Sequence, residues 1–101
     1  RYDVLTCFEV LEHVNPEYEN IVVDNLCGLS NVLVMSICYY GPTTKVHPNI
    51  KPKEHWINAF KQRGYKQQQD KEIKLLGLWE PIRKYPAVSE CFKGILIMEK
   101  E

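Results

Sequence analysis

The stretch Tyr2-Asp3-Val4-Leu5-Thr6-Cys7-Phe8-Glu9-Val10-Leu11-Glu12-His13-Val14 decides how the rest of the chain is read. After Asp3 it is almost continuously apolar as far as Phe8. That pattern predicts a strand over 2–8, covered on both faces as strands of parallel sheets are. Glu9, Glu12 and His13 then fall just beyond the strand's C-terminal end. In open α/β sheets ligands gather outside such ends.

Further along, Asn15 is placed to cap a helix with Pro16 at its first position and Glu17 and Glu19 in its first turn. Tyr18, Ile21, Val22, Leu26 and Leu29 recur at helical spacing, and Gly28 is the expected stop. Residues 31–38, Asn-Val-Leu-Val-Met-Ser-Ile-Cys, predict a second buried strand. Gly41, Pro42, Pro48 and Pro52 make 39–52 a loop. A second helix is expected over 53–63, with Trp56, Ile57 and Phe60 inward and Gly64 at its end. A short strand over 65–68 follows, then an amphipathic segment over 70–79 with Ile73, Leu76 and Trp79 inward. Pro81 and Pro86 break the next stretch into irregular structure or a short helix. Residues 92–98, centred on Gly94-Ile95-Leu96-Ile97, predict the last strand. The alternation of buried strands with helices implies a single α/β domain over 1–101.

Composition narrows the classes. The 101 residues are 45% hydrophobic and 26% charged, the ordinary globular balance, so a disordered chain is not expected. The longest apolar runs fall well short of the ~20 residues that cross a bilayer, so no membrane partner is expected. Thirteen basic and thirteen acidic residues cancel, which argues against an electrostatically driven nucleic-acid binder. The cancellation hides an asymmetry: residues 1–40 carry a balance of −5 and residues 41–101 one of +5. Two readings stand: chance placement on a solvated surface, or an acidic part facing a cationic ligand or partner.

Cys7, Cys27, Cys38 and Cys91 form no CxxC pair and have no histidine at zinc-finger spacing, so no metal is expected. Three of them lie in apolar runs, where a free thiol packs as a small hydrophobe, and a cytoplasmic protein is the expectation. A nucleophilic Cys38–His47 pair lacks an activating base at defined geometry and is set aside. The five glycines are too far apart for a G-x-G-x-x-G or P-loop turn.

The order of elements resembles the C-terminal half of a class I S-adenosylmethionine-dependent methyltransferase. The segment from Tyr2 to His13 is similar to the family's Y-D-x-[VL]-x-x-x-E-V-L-E-H pattern at its fourth strand. Val32-Leu33-Val34-Met35-Ser36 is similar to its fifth strand. The run His47-Pro48-Asn49-Ile50-Lys51-Pro52 with Trp56, Phe60 and Gly64-Tyr65 is similar to the H-x-N-x-x-P-x-x-W…F…G-[FY] run of a subset of these enzymes. The final strand would be the family's seventh, antiparallel between the fifth and sixth.

The resemblance implies a partial Rossmann-like three-layer sandwich of about four strands, parallel but for an antiparallel last one. It implies methyl transfer to an unidentified small-molecule acceptor by a longer or assembled enzyme, of which this chain is the C-terminal part. Cys7, Phe8 and Glu9 would flank the methionine part of S-adenosylmethionine. Glu12, His13 and His47 would act on the acceptor, histidine being the side chain that titrates near neutrality. Ser36, Tyr39 and Asn49 would line the acceptor site. The other reading of these residues is local: Glu12 and His13 tether their loop, Asn49 bonds turn backbone, and Tyr39 packs.

The chain departs from the family in having neither the glycine-rich loop nor the acidic residue that holds the cofactor's ribose. S-adenosylmethionine binding by this chain alone is therefore expected to be weak or absent. The first strand, left as a sheet edge with an apolar face, would drive homo-oligomerisation. A non-catalytic α/β module that self-associates through that edge is the rival expectation.

Overall fold

A computed structural model describes residues 1–101. Four strands form one mixed sheet: β1 (Leu5–Phe8), β2 (Val32–Ser36), β3 (Tyr65–Gln67) and β4 (Ile95–Lys100). Their order across the sheet is β1-β2-β4-β3. β1 and β2 run parallel, with Cys7 opposite Met35 and Phe8 opposite Ser36. β4 lies antiparallel between β2 and β3. The helices are α1 (Glu19–Leu29), α2 (Lys53–Lys61), α3 (Gln69–Trp79) and α4 (Pro86–Lys93). Single helical turns at 11–13, 16–18 and 80–82 join them. The architecture is the expected partial Rossmann-like three-layer sandwich.

The period-2 alternation of the strands divides the sheet into two faces. On one face Cys7, Leu33, Met35, Leu96 and Met98 pack against Val23 of α1 and Trp56, Ile57 and Phe60 of α2. Tyr65 closes this core, and its hydroxyl donates to the carbonyls of Cys27 at 2.8 Å and Ser30 at 2.6 Å. On the other face Ile95 and Ile97 are buried beneath α3 and α4. Gly94 is where β4 meets the extension of β2. A Cβ there would sit 2.1 Å from the Ile37 carbonyl oxygen. The Gly94 carbonyl in turn accepts from Ile37 N at 3.0 Å and from the Tyr39 hydroxyl at 2.8 Å.

Several elements depart from the sequence reading for identifiable reasons. β1 is shorter than 2–8 and is covered on one face only. Cys7 is buried, but Val4 is 53% exposed and Phe8 38%. Residue 2 contributes only an isolated bridge to Ser30. β1 is the sheet's edge, and α3 and α4 lie over β4 and β2 instead.

Asn15 does cap, accepting from Glu17 N at 3.2 Å, but it caps a single turn that precedes α1. α1 runs through Gly28 and ends at Leu29. Its buried residue is Val23, with Val22 and Leu26 half-buried, while Tyr18, Ile21 and Leu29 are exposed.

α3 presents Glu72 to the sheet, and Ile73 is 69% exposed. β3 stops at Gln67, so the Ile97 N–H of β4 has no strand partner and donates instead to Glu72 Oε2 at 3.0 Å. A buried backbone donor needs such a partner, and that need sets the rotation of α3. Residues 92 and 93 belong to α4, which Pro86 opens at its first helical position, so the last strand begins at Ile95.

Candidate functional site

The C-terminal ends of the parallel strands β1 and β2 point the same way, and both chains turn out of the sheet there. Glu9 makes the first turn in a left-handed conformation, φ 56°, with its N–H donating to the Ser36 carbonyl at 2.9 Å. A non-glycine residue in that region is strained, which is a recurring property of ligand sites. The Glu9 carboxylate accepts from the Ser36 hydroxyl at 2.8 Å. Burial, with a further contribution from the Glu12 charge, raises the Glu9 pKa above the ordinary carboxylate value, against the lowering effect of the Ser36 bond.

One helical turn later Glu12 points inward and is 1% exposed. Its Oε1 accepts from Cys38 N at 3.3 Å, and its backbone carbonyl accepts from Asn49 N at 3.3 Å. Its side chain ties the end of β2, and its backbone ties the loop 39–52.

His13 closes the arrangement. Its Nδ1 lies 2.6 Å from the Val46 carbonyl oxygen. A carbonyl only accepts, so Nδ1 carries the proton and donates. Nε2 then faces Glu12 Oε2 at 3.6 Å. The His47 ring stands 4.6 Å from the His13 ring, centroid to centroid. A turn between Thr44 and His47, bonded both ways at 3.0 Å, holds it there. One donor atom each from Glu12, His13 and His47 lie within 4.8 Å of one another.

The remaining predicted residues separate. Cys7 faces the core, where burial and the Glu12 charge push its thiol pKa up. Phe8 faces the opposite side, in an open apolar cleft of about 290 Å³ with Trp79, Ile82, Ala87, Val88 and Cys91. Its ring meets Trp79 edge-on at 5.9 Å. Tyr39 is held by the Gly94 carbonyl, and burial pushes its phenol far above the usual range. Asn49 is fully buried, donating to Glu19 Oε1 at 2.8 Å and accepting from Lys51 Nζ at 2.7 Å. Glu19 also pairs with His55 Nε2 at 2.8 Å. Asn49 thus anchors its loop to α1.

The structure therefore brings Glu9 to Ser36, and Glu12 to His13 and His47. Around them Cys7 packs in the core, Tyr39 bonds the Gly94 carbonyl and Asn49 ties its loop to α1. The sequence pointed to Glu12, His13 and His47 together through the resemblance, but as groups acting on the acceptor; metal ligation was weighed only for the cysteines, so these three were missed as a ligand set. The adjacent Glu-His pair followed by a histidine in a proline-flanked loop was the available signal. Among known proteins the chain matches no family model, no curated protein and no solved structure.

Proposed function

We propose that this chain forms the acceptor-side part of a longer or assembled S-adenosylmethionine-dependent methyltransferase whose acceptor is a small molecule. The observation that carries this reading is the convergence of Glu9, Ser36, Glu12, His13 and His47 beyond the C-terminal ends of two parallel strands. A sheet of this kind binds ligands there. Methyl transfer from a sulfonium calls for in-line placement of the acceptor and a base for its proton.

His13 suits the base, since Nδ1 is committed to Val46 and Nε2 remains to accept a proton. Glu12 Oε2, 3.6 Å from that nitrogen, stabilises the imidazolium once the proton has been taken, and His47 contacts the acceptor. The carboxylates of Glu9 and Glu12 favour a cationic donor. Cys7 and Phe8 contribute backbone along the donor's methionine part. The four free cysteines suit a reducing compartment, and we place the protein in the cytoplasm on that ground. No helix is long and apolar enough to cross a membrane.

Calorimetry with the 101-residue chain tests the assignment of the cofactor. With no glycine-rich loop in its sequence, binding tighter than millimolar is not expected, and micromolar binding would mean that the cofactor site is divided differently.

A second reading has its own support. β1 is the sheet edge, and Tyr2, Val4, Phe8 and Val10 are all exposed along it. Such an edge favours self-association by strand pairing, and a non-catalytic homo-oligomeric module would use it. Sedimentation at high concentration separates the cases: a monodisperse monomer removes this second reading.

A further inference from the structure

We propose that Glu12, His13 and His47 bind a divalent transition-metal ion of the zinc class, through one carboxylate oxygen, His13 Nε2 and one ring nitrogen of His47. The donor set is two imidazoles and a carboxylate, which suits such ions and leaves the remaining coordination positions to water or a substrate oxygen. Three features of the site carry the assignment. The three donor atoms lie within 4.8 Å of one another, so modest side-chain rotation brings them around one ion.

The His13 Nδ1–H is bonded to the Val46 carbonyl at 2.6 Å, the outer contact that fixes the tautomer and orientation of metal-ligating histidines. That bond turns the lone pair of Nε2 toward Glu12 Oε2 at 3.6 Å, so two acceptors face each other across a gap that a cation would bridge. Glu12 is almost wholly buried, and its other oxygen is held by Cys38 N, so the carboxylate is already fixed in place. The raised pKa values of Cys7 and Glu9 both carry a contribution from the Glu12 charge, which a bound cation would offset.

The inference is independent of methyl transfer, and with a cation on Nε2, His13 no longer acts as the base. The two readings therefore fail separately: metal binding is measured without S-adenosylmethionine.

The test is titration of the full chain with Co²⁺ and with Zn²⁺. It is followed by calorimetry, by the visible absorption of the Co²⁺ form and by the NMR signals of the three histidine rings. Binding of one equivalent is expected, with His13 and His47 signals moving and His55 unmoved. His47→Ala, in a partly exposed loop, should weaken binding by about tenfold or more. His55→Ala should leave it unchanged. No binding below millimolar ion concentration would overturn the proposal, as would binding that survives His47→Ala or that shifts His55 instead.

Discussion

His13 and His47 stand with their rings 4.6 Å apart and tilted by 54°, one from the turn after β1 and the other from the loop after β2. The neighbour of His47, Val46, supplies the carbonyl that holds His13. The two histidines are therefore mechanically coupled, and removing the first should release the second. His13→Ala leaves Val46 without its side-chain donor and frees the loop around the exposed Lys45. Limited trypsin digestion should cut after Lys45 faster in His13→Ala than in the parent chain, while His55→Ala should not accelerate this cut. Equal rates in all three would mean that the loop is held by other contacts.

Glu72 is the only side chain that bonds the Ile97 N–H, and it also pairs with Lys53 Nζ at 3.5 Å and Gln67 Nε2 at 3.2 Å. Glu72→Ala leaves a backbone donor of the central strand β4 buried without a partner. Such a loss costs about 1–3 kcal/mol. Urea unfolding should show that decrease in Glu72→Ala, and a smaller one in Glu72→Gln, which keeps an acceptor. A Glu72→Ala variant as stable as the parent would show that α3 is not oriented by this bond.

Glu9 has a folded-state pKa above its unfolded one, chiefly because it is partly buried. Between those two values the folded chain holds more protons than the unfolded chain. Stability therefore falls as pH rises through the window that starts near the ordinary carboxylate range, and it levels off above the raised value. Glu9→Gln preserves an acceptor for the Ser36 hydroxyl and removes this slope. Urea midpoints measured across that window should fall with pH in the parent, fall less in Glu9→Gln, and favour the variant at neutral pH. Identical slopes would contradict the burial argument.

What the sequence revealed follows from where one force dominated. Trp56, Ile57 and Phe60 form an apolar stripe at helical spacing, and all three are buried where the spacing put them. Val32 to Ser36 is likewise a strand because its pattern is apolar and strongly β-forming. The pattern misled where a single backbone bond outweighed it. Ile73 looked inward by periodicity, yet the Ile97 N–H draws Glu72 to the sheet and turns Ile73 to solvent. Phe8 looked covered because its neighbours are apolar, yet over the edge strand the helices leave an open cleft, in which Trp79 meets its ring edge-on and part of the ring stays exposed.

The site was legible only in part. Glu9, Glu12 and His13 are contiguous with a strand end, so their place outside the sheet follows from the fold. The meeting of His13 with His47 depends on how the 39–52 loop folds back. The bonds that decide it, Asn49 N to the Glu12 carbonyl and Asn49 Nδ2 to Glu19, link residues far apart in the chain.

The most direct measurement is photo-crosslinking of labelled S-adenosylmethionine to the longer or assembled enzyme proposed for this chain, with the labelled peptide mapped by mass spectrometry. The account predicts label on the peptide that contains Cys7 to His13, competed away by S-adenosylhomocysteine. An enzyme of that kind that takes up no label, or takes it only outside the ends of β1 and β2, would contradict the methyltransferase assignment.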